Sequence, residues 1–594
     1  MAYSWLLPTT VFLPWAGALA VLAVGRAGKL RTGLAIAFAA ADAVLSICLV
    51  PLASSVTGFT LPLGGAFGEL SFLPDGFGVF LAAVAAVIGG LAVVFSVDYM
   101  RGEEGQGRYY ALVLFFIGSM IGLVLSANLL MVVVFWEITA LCSWALISFH
   151  NDDPKAVAGG IKALIITGLG GVGLLAGSLA IYAQNGSFDI PTFMAQANGF
   201  PPQLLAWIAF GFLAAAAAKS AQFPFQTWLP DAMEAPTPIS ALIHAATMVN
   251  AGVYLLARFY PAFSAVPGWT LSVVAVGVIS AFIAAIMALV ANDLKRALAW
   301  STVSQLGFMV YAIGTGGIFQ SQFHLLSHSV FKALLFLGAG AVIHSLGTRD
   351  MREMGGLSKS MPLTCGAFVI GALALAGIPP VNGFWSKELL LEGGLVHGPL
   401  WAYIVMLVTA GLTALYILRC VWMVFFANRD APPVPHVSHV HEAGPAMKVA
   451  LVPLALASLV TWLLAGPFQD LFMRTLPFHF GGDHAGSVET TGTLGMAVGV
   501  LSSPSTWLAL GVVAVGILAW LARGTFVRIG TGLRPARRVA EAGFGFEAIN
   551  RGVAKGVQGA GEGLRTTQSG ILNWNVAAIL MAVIAVLLAL VLGG

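Results

Sequence analysis

Charged residues are scarce in this chain of 594 residues, because Asp, Glu, Lys and Arg make up only 9% of it. Soluble domains contain about 25% of these residues, so the composition excludes an ordinary soluble globular protein. Cysteine is rare as well: the four cysteines lie in apolar context without metal-ligand spacing, and we interpret them as small buried apolar residues. The net charge of +3 does not indicate nucleic-acid binding, since the basic residues lie between apolar runs.

Long apolar stretches occur along the whole chain, which is 59% hydrophobic with a mean hydropathy of +0.91. Stretches of about 18 to 25 apolar residues predict transmembrane helices. The sequence therefore predicts an all-α polytopic membrane protein with about 16 such helices, the first retained and not cleaved as a signal peptide. The predicted spans are 5–24, 32–54, 77–97, 109–126, 128–149, 157–184, 203–225, 237–259, 268–291, 297–315, 321–346, 361–394, 399–427, 447–466, 505–522 and 573–592.

Basic residues concentrate in every second connection between these spans. The opposite connections contain only Arg258 and Arg474. By the positive-inside rule, we expect the basic connections to face the cytoplasm of a prokaryotic cell, with both termini outside. The basic connections contain Arg26, Lys29, Arg31, Arg101, Arg108, Lys155, Lys295, Arg296, Arg349, Arg352, Lys359, Arg429, Lys448 and the stretch 523–565.

Titratable side chains also fall inside the predicted spans, including four of the ten lysines. A charge at the centre of a bilayer costs about 2.5 kcal/mol or more, so these residues are candidates for function. Snorkelling to the headgroups is the alternative for a lysine near a helix end, and it fits Lys162 best. Asp42 has no evident partner and no assigned role. The intramembrane candidates are Glu137, Lys162, Lys219, His244, His324, His328, Lys332 and Lys387, with Arg419 as a further basic residue.

The spacing of His324, His328 and Lys332 places the three side chains on one helix face. A water-bridged series of Glu, Lys and His groups near the middle of a membrane is typical of a proton relay. A metal site and a packed polar stripe are the alternatives. No carboxylate or cysteine completes a metal-ligand set, and we predict no metal and no cofactor.

Prolines interrupt two of the lysine-containing spans. Pro224 follows Lys219, whereas Pro379 and Pro380 precede Lys387. Proline breaks a helix, and paired broken helices in two halves of a chain are typical of inverted-repeat transporters. We therefore predict two inverted five-helix repeats, with Lys219 corresponding to Lys387 and Lys162 to Lys332. The predicted domains are 1–108 (N-terminal helices), 109–259 and 268–427 (repeats), 428–522 (C-terminal helices), 523–572 (a basic cytoplasmic interfacial segment) and 573–594 (final helix).

Four stretches resemble the antiporter-like membrane subunits of respiratory complex I. They are KSAQFPFQTWLPDAMEAPTPISALIHAATMVNAGVYLLARFYP, DLKRALAWSTVSQLGFM, FHLLSHSVFKALLFLGAGAVIH and NGFWSKELLLEG. The chain is similar also to the A and D subunits of Mrp-type Na⁺/H⁺ antiporters and to membrane-bound hydrogenase subunits. The resemblance extends over roughly residues 75 to 430.

This resemblance implies roles for individual residues. Glu137 and Lys219 would form an ion pair that opens and closes, which would drive a proton toward Lys332 and Lys387. His244 matches the histidine of the helix that follows the first break. His324 and His328 match the histidines that precede the central lysine, and Lys162 is an additional relay candidate.

The resemblance implies an ion-translocating subunit, most simply for protons, of a larger energy-converting or cation/proton antiporter complex. Its partners would be other membrane subunits, with peripheral redox or zinc-protein subunits and Na⁺ as further candidates. Three assignments stay open: an Mrp-like or hydrogenase-like complex, complex I itself and an inorganic-carbon uptake complex. A self-sufficient secondary transporter of a small solute is the alternative from another class. No redox motif occurs, so we expect no redox catalysis by this chain alone.

Overall fold

The computed structural model describes residues 4–25, 28–53, 58–64, 68–427, 440–475, 492–522 and 543–567. Fourteen helices in these ranges are long and apolar enough to cross a membrane. A fifteenth predicted span, 361–394, is a pair of shorter helices. The prediction of an all-α polytopic protein is thus confirmed, while the predicted last span at 573–592 lies outside the described residues.

The N-terminal region consists of three long helices and a small antiparallel β-ribbon that pairs Phe59 with Phe72. Asp75 caps the third helix by accepting a hydrogen bond from the Gly78 backbone N–H at 2.9 Å. Such caps satisfy amide groups that a helix leaves unpaired at its start. The elements are α1 (Leu6–Ala23), α2 (Gly28–Leu52), β1 (Phe59–Pro62), β2 (Glu69–Phe72) and α3 (Gly76–Tyr99).

The next five spans have a break in the fourth. The first half of this broken span, α8, ends at Lys219, and the chain is not helical again until Trp228. The fifth span is interrupted after Ala245. The helices are α4 (Gln106–Leu125), α5 (Leu129–Ile147), α6 (Pro154–Asn185), α7 (Ile190–Gln196), α8 (Pro202–Lys219), α9 (Trp228–Asp231), α10 (Thr237–Ala245) and α11 (Met248–Phe263).

The following five spans repeat this pattern, with a break again in the fourth. Here α15 ends at Ala376 and α16 begins at Asn382. In both groups the third span ends at a left-handed glycine, Gly186 or Gly347, a conformation that glycine adopts without steric cost. The helices are α12 (Trp269–Val290), α13 (Leu294–Gly314), α14 (Ile318–Leu346), α15 (Pro362–Ala376), α16 (Asn382–His397) and α17 (Leu400–Val421).

The remaining described helices follow the second group. Residues 1–531 and 532–594 form two separate compact units. The second unit contains one described α-helix, 22 residues long, within the segment predicted to be interfacial. The helices are α18 (Pro445–Val460), α19 (Ala465–Thr475), α20 (Gly492–Ser502), α21 (Pro504–Leu521) and α22 (Phe546–Thr567).

Side chains and backbone amides satisfy the polar groups that the two breaks release. Near the first break, Trp228 Nε1 donates to the Ala218 carbonyl at 2.9 Å, and Ser220 Oγ donates to the Val249 carbonyl at 2.7 Å. Near the second break, Trp385 Nε1 donates to the Pro380 carbonyl at 3.1 Å. Irregular backbone at membrane depth is tolerated only when it is buried in protein or lines water. Most of the first break is buried, but Pro224 is exposed there, and Pro379 and Pro380 are exposed at the second break.

One end of the bundle holds a network of ion pairs, which we call the basic face. Lys162 Nζ lies 2.6 Å from Asp231 Oδ2, and Arg349 Nη1 lies 2.9 Å from Glu234 Oε2. Arg419 also reaches this face, where its guanidinium donates to the Ala291 carbonyl at 2.6 Å. The loops before α10, α13 and α15 therefore meet at one end of the bundle.

Candidate functional site

Lys219 is the last residue of α8 and is completely buried. Its Nζ donates to the Trp136 carbonyl at 2.7 Å and lies 4.9 Å from the centre of the Trp136 ring. Within the described residues, no carboxylate oxygen lies within 4 Å of this ammonium group. Lys219 therefore lies near Glu137, the residue that follows Trp136 on α5, without forming an ion pair with it.

Glu137 is half-buried between α5 and α6, where its carboxylate rests on Gly171. A Cβ atom at Gly171 would overlap Glu137 Oε1, whereas a Cβ atom at Gly168 would meet nothing within 4 Å. The glycine at 171 thus holds open the space that the carboxylate occupies. Because only the end of a flexible side chain stands in the way, an added methyl group would move the carboxylate and leave the helices in place.

Glu137 is a predicted relay residue, and displacing a proton-transfer group by an ångström costs one to two orders of magnitude in rate. On that prediction, we expect a Gly171→Ala variant to lower ion translocation about tenfold. Its thermal stability should stay close to that of the unmodified protein. Gly168→Ala is the matched control on the same helix and should change neither property. Flux into vesicles and unfolding temperature in detergent measure the two effects; equal fluxes for both variants would contradict the prediction.

Lys332 lies at the midpoint of α14 and is completely buried. Its Nζ donates to the Leu298 carbonyl at 3.0 Å and to Ser301 Oγ, both on α13. Both partners are neutral, and in the described part of the chain no carboxylate oxygen comes within 4 Å of Lys332. The charged form of Lys332 is therefore stabilised by the dipoles of a carbonyl and a hydroxyl group and not by a neighbouring negative charge.

Two histidines near Lys332, His244 and His328, have both ring nitrogens buried without a hydrogen-bond partner among the described residues. The His244 ring packs against Phe336 with 4.5 Å between ring centres. His324 is different, because its Nδ1 lies 3.0 Å from Ser386 Oγ and its Nε2 lies 3.1 Å from Gln305 Oε1. The unpaired ring nitrogens of His244 and His328 can form hydrogen bonds with internal water.

Lys387 lies on α16, just after the second break, and is 1% exposed. Its Nζ makes no hydrogen bond to a described residue and lies 5.0 Å from the centre of the Phe308 ring. The next residue, Glu388, is also buried and lies within electrostatic range of Lys387. His324 joins Lys387 to α13 and α14, because its partner Ser386 precedes Lys387. We call the buried lysines and histidines of this region, together with the polar side chains that they contact, the buried row. Its lysines and histidines are Lys219, His244, His324, His328, Lys332 and Lys387.

Lys162 lies apart from this row, since its ammonium pairs with Asp231 at the basic face. The sequence interpretation also missed several polar residues of the row. Gln305, Ser301 and Ser386 are uncharged and do not interrupt an apolar stretch, so composition carries no signal for them. Lys295 was assigned to a loop, but it is 3% exposed. Within the described residues, no group of three or more His, Cys, Asp or Glu side chains is placed to hold a metal ion.

Two family models match the chain. The model described as "NADH:quinone oxidoreductase/Mrp antiporter, TM" matches residues 126–413, and "NADH-Ubiquinone oxidoreductase (complex I), chain 5 N-terminus" matches residues 61–110. The first match contains every residue of the buried row. The second contains β2 and α3.

Curated relatives include two quinone oxidoreductase subunits. The chain is 38% identical over 522 residues to NAD(P)H-quinone oxidoreductase subunit 5, organellar chromatophore 1, of Paulinella chromatophora, covering 79% of this chain and 77% of that protein. It is 40% identical over 425 residues to the chloroplastic subunit 5 of Mesostigma viride, covering 68% and 65%. The chain thus spans about two thirds of the length of the Mesostigma relative.

Solved structures with the same fold include a chain of the Mrp complex from Dietzia sp., at 28% identity and a TM-score of 0.78, covering 99% of this chain and 63% of that one. Another belongs to the membrane-bound sulfane sulfur reductase, an archaeal respiratory membrane complex, at 25% identity and a TM-score of 0.70, covering 79% and 96%. The matched motifs, the relatives and the fold agree: this chain belongs to the NADH:quinone oxidoreductase/Mrp antiporter family of transmembrane proteins.

Proposed function

We propose that this chain is the ion-translocating membrane subunit of a larger complex and that the ion is the proton. One observation carries the proposal, namely that three lysines are completely or almost completely buried on α8, α14 and α16. These lysines, Lys219, Lys332 and Lys387, have no carboxylate oxygen within 4 Å in the described residues. Burying an unpaired ammonium group is expensive, and its cost is explained if each lysine must gain and lose a proton.

The proposed relay begins at Glu137 and Lys219, continues through His244 to Lys332, and ends at Lys387. In the open arrangement, Lys219 is held by the Trp136 carbonyl. Closing the Glu137–Lys219 pair would favour the charged lysine, and opening it would favour proton release toward the central lysine. His328 and His324 precede Lys332 on α14, on the side toward Lys387 of α16. Their imidazole rings supply groups through which water can connect the two lysines.

The relatives support a multisubunit setting, since their names place them in quinone oxidoreductase and Mrp complexes. We propose that other membrane subunits bind this chain in a prokaryotic plasma membrane, with the basic face in the cytoplasm. We propose further that Na⁺ is a second transported ion. We also propose that the complex includes a peripheral redox or zinc-protein subunit.

The test is to isolate the complex through a tag on this chain in mild detergent, identify the co-purifying subunits by mass spectrometry, and reconstitute it in vesicles. We expect several membrane subunits and a proton flux that the isolated chain does not support. Redox subunits would indicate a redox-driven pump, small hydrophobic antiporter subunits alone would indicate an Mrp-type exchanger, and a soluble zinc protein would indicate carbon uptake. Full transport of a solute by the isolated chain would overturn the proposal.

A further inference from the structure

Asp42 is a buried carboxyl group that lies outside the buried row. It is near the middle of α2 and is completely buried. Neither of its carboxyl oxygens has a hydrogen-bond partner among the described residues. An unpaired carboxylate at this depth in a membrane would be costly, because an isolated charge loses its hydration there.

Within the described residues, the helices around Asp42 place no cation at its depth. α2 packs mainly against α1, α3 and α4, and α1 contains no charged residue and no histidine. Arg31 is eleven residues before Asp42, about 16 Å along the axis of α2, and it donates to Gln106 Oε1 at the start of α4 at 2.6 Å. The other titratable groups of these helices are Lys29, Asp98, Tyr99, Arg108, Tyr109 and Tyr110 near the same end, and the exposed Cys48.

A proline in the neighbouring helix leaves a backbone carbonyl without its usual donor. Pro14 lies inside α1, and because proline has no N–H, the Thr10 carbonyl cannot form the usual helical bond to residue 14. A Cβ atom at Gly17 of α1 would overlap the Phe38 side chain of α2, so these two positions are level. Consecutive spans run in opposite directions. Four residues farther from the connection on each helix, Asp42 is therefore level with the turn toward which the Thr10 carbonyl points.

Ser46 supplies a second free polar group beside Asp42. It follows Asp42 by one helical turn, so the two side chains share the buried face of α2. Ser46 Oγ is completely buried and has no partner among the described residues. Ser96 and Ser119, in contrast, each donate to the carbonyl four residues earlier at 2.6 Å. The Ser46 hydroxyl is thus available to donate to the Asp42 carboxyl group.

We propose that Asp42 is a proton-binding site separate from the relay, where a neutral carboxyl group holds a resident proton. The carboxyl O–H donates to the Thr10 carbonyl, and the second carboxyl oxygen accepts from Ser46 Oγ, so one proton satisfies three otherwise unpaired groups. A metal ion fits less well, because hard cations take about six or more oxygen ligands and Asp42, Ser46 and Thr10 supply only four. The resident proton joins α1 to α2, and this assignment does not depend on the proposed function.

Infrared spectroscopy of the complete complex in vesicles measures the protonation state directly. A neutral carboxyl group has a C=O stretching band that a carboxylate lacks. We expect the spectrum of the unmodified complex minus that of Asp42→Asn to contain this band at neutral pH. Asp98→Asn is the control, because the Asp98 carboxylate pairs with Arg101 at 2.8 Å and should contribute carboxylate bands only. Carboxylate bands from Asp42, whether general or confined to Na⁺-containing buffer, would overturn the proposal.

A set of variants tests the bond to the Thr10 carbonyl through the unfolding temperature in detergent. Asp42→Asn keeps a donor and should unfold close to the temperature of the unmodified protein. Asp42→Leu leaves the carbonyl buried and unpaired, so it should unfold several degrees lower. Pro14→Ala restores the missing N–H, and in that background Asp42→Leu should lose at most half as much. An equal loss in both backgrounds would overturn the assigned bond.

Proton flux tests whether the proton stays on Asp42. A tenfold loss of flux in a fully assembled Asp42→Asn complex would show that the proton leaves Asp42 during transport, and it would overturn the resident role. If Asp42→Leu fails to assemble, the infrared band and the Asp42→Asn variant decide, since asparagine keeps the shape of the side chain and a donor.

Discussion

A Lys332→Met variant is expected to assemble normally and to lose ion translocation by about two orders of magnitude. Methionine has a similar length and no charge, so it fills the same volume in α14. Replacing a buried charged group with an apolar group of similar volume is often neutral or stabilising. Removing a positioned proton-transfer group, in contrast, costs about 10² to 10⁴ in rate, and α14 contains no second lysine that could replace Lys332.

The measurement is proton flux in vesicles containing the complete complex, with subunit content checked by gel and mass spectrometry. Lys359→Met is the matched control, because it removes an exposed lysine from the loop before α15. It should retain normal flux. If Lys332→Met retained more than half of the flux in a fully assembled complex, the central lysine would not carry the transported proton.

An Asp75→Asn variant is expected to destabilise the protein strongly, by about 3–5 kcal/mol, because it leaves the Arg258 guanidinium buried without its counter-charge. Asp75 and Arg258 are 2% and 4% exposed and form an ion pair between the start of α3 and α11. Asparagine caps helices as well as aspartate does, so the cap on Gly78 is retained. The substitution therefore isolates the charge.

The unfolding temperature in detergent measures this effect. The double variant Asp75→Asn/Arg258→Met should recover much of the loss, since it removes the stranded charge. Arg101→Ala breaks an ion pair with Asp98 in which the arginine side chain is 76% exposed; it should cost at most about 1 kcal/mol. An Asp75→Asn protein as stable as the Arg101→Ala control would show that the pair contributes little.

Much of the fold follows from the sequence, because a long apolar stretch in hydrocarbon satisfies its own backbone hydrogen bonds by forming an α-helix. The predicted span 321–346 and the helix Ile318–Leu346 differ by three residues at one end. Breaks were predicted where Pro224, Pro379 and Pro380 remove amide donors. Their closing contacts, such as Phe223 N donating to Ser280 Oγ at 2.8 Å, join distant helices, and no local pattern encodes them.

The charged members of the candidate site were visible in the sequence because a lysine or glutamate inside an apolar run is conspicuous. The hydrogen-bond partners of these charged residues cannot be recognised in the sequence. The 2.7 Å bond from Lys219 to the Trp136 carbonyl involves a backbone atom, which every residue has. Lys295 and Arg258 are near helix ends and were interpreted as loop residues, but tertiary packing buries both.

The position of the three lysines has an electrical consequence. Lys332 is at the midpoint of its helix, and Lys219 and Lys387 adjoin the breaks of theirs, so we expect proton transfer from one lysine to the next to run parallel to the membrane plane. A unit charge that crosses the whole membrane exchanges about 2.3 kcal/mol per 100 mV with the field, but a sideways hop crosses almost none of it. The membrane voltage would therefore act on the uptake and release steps and leave the transfers between lysines nearly unaffected.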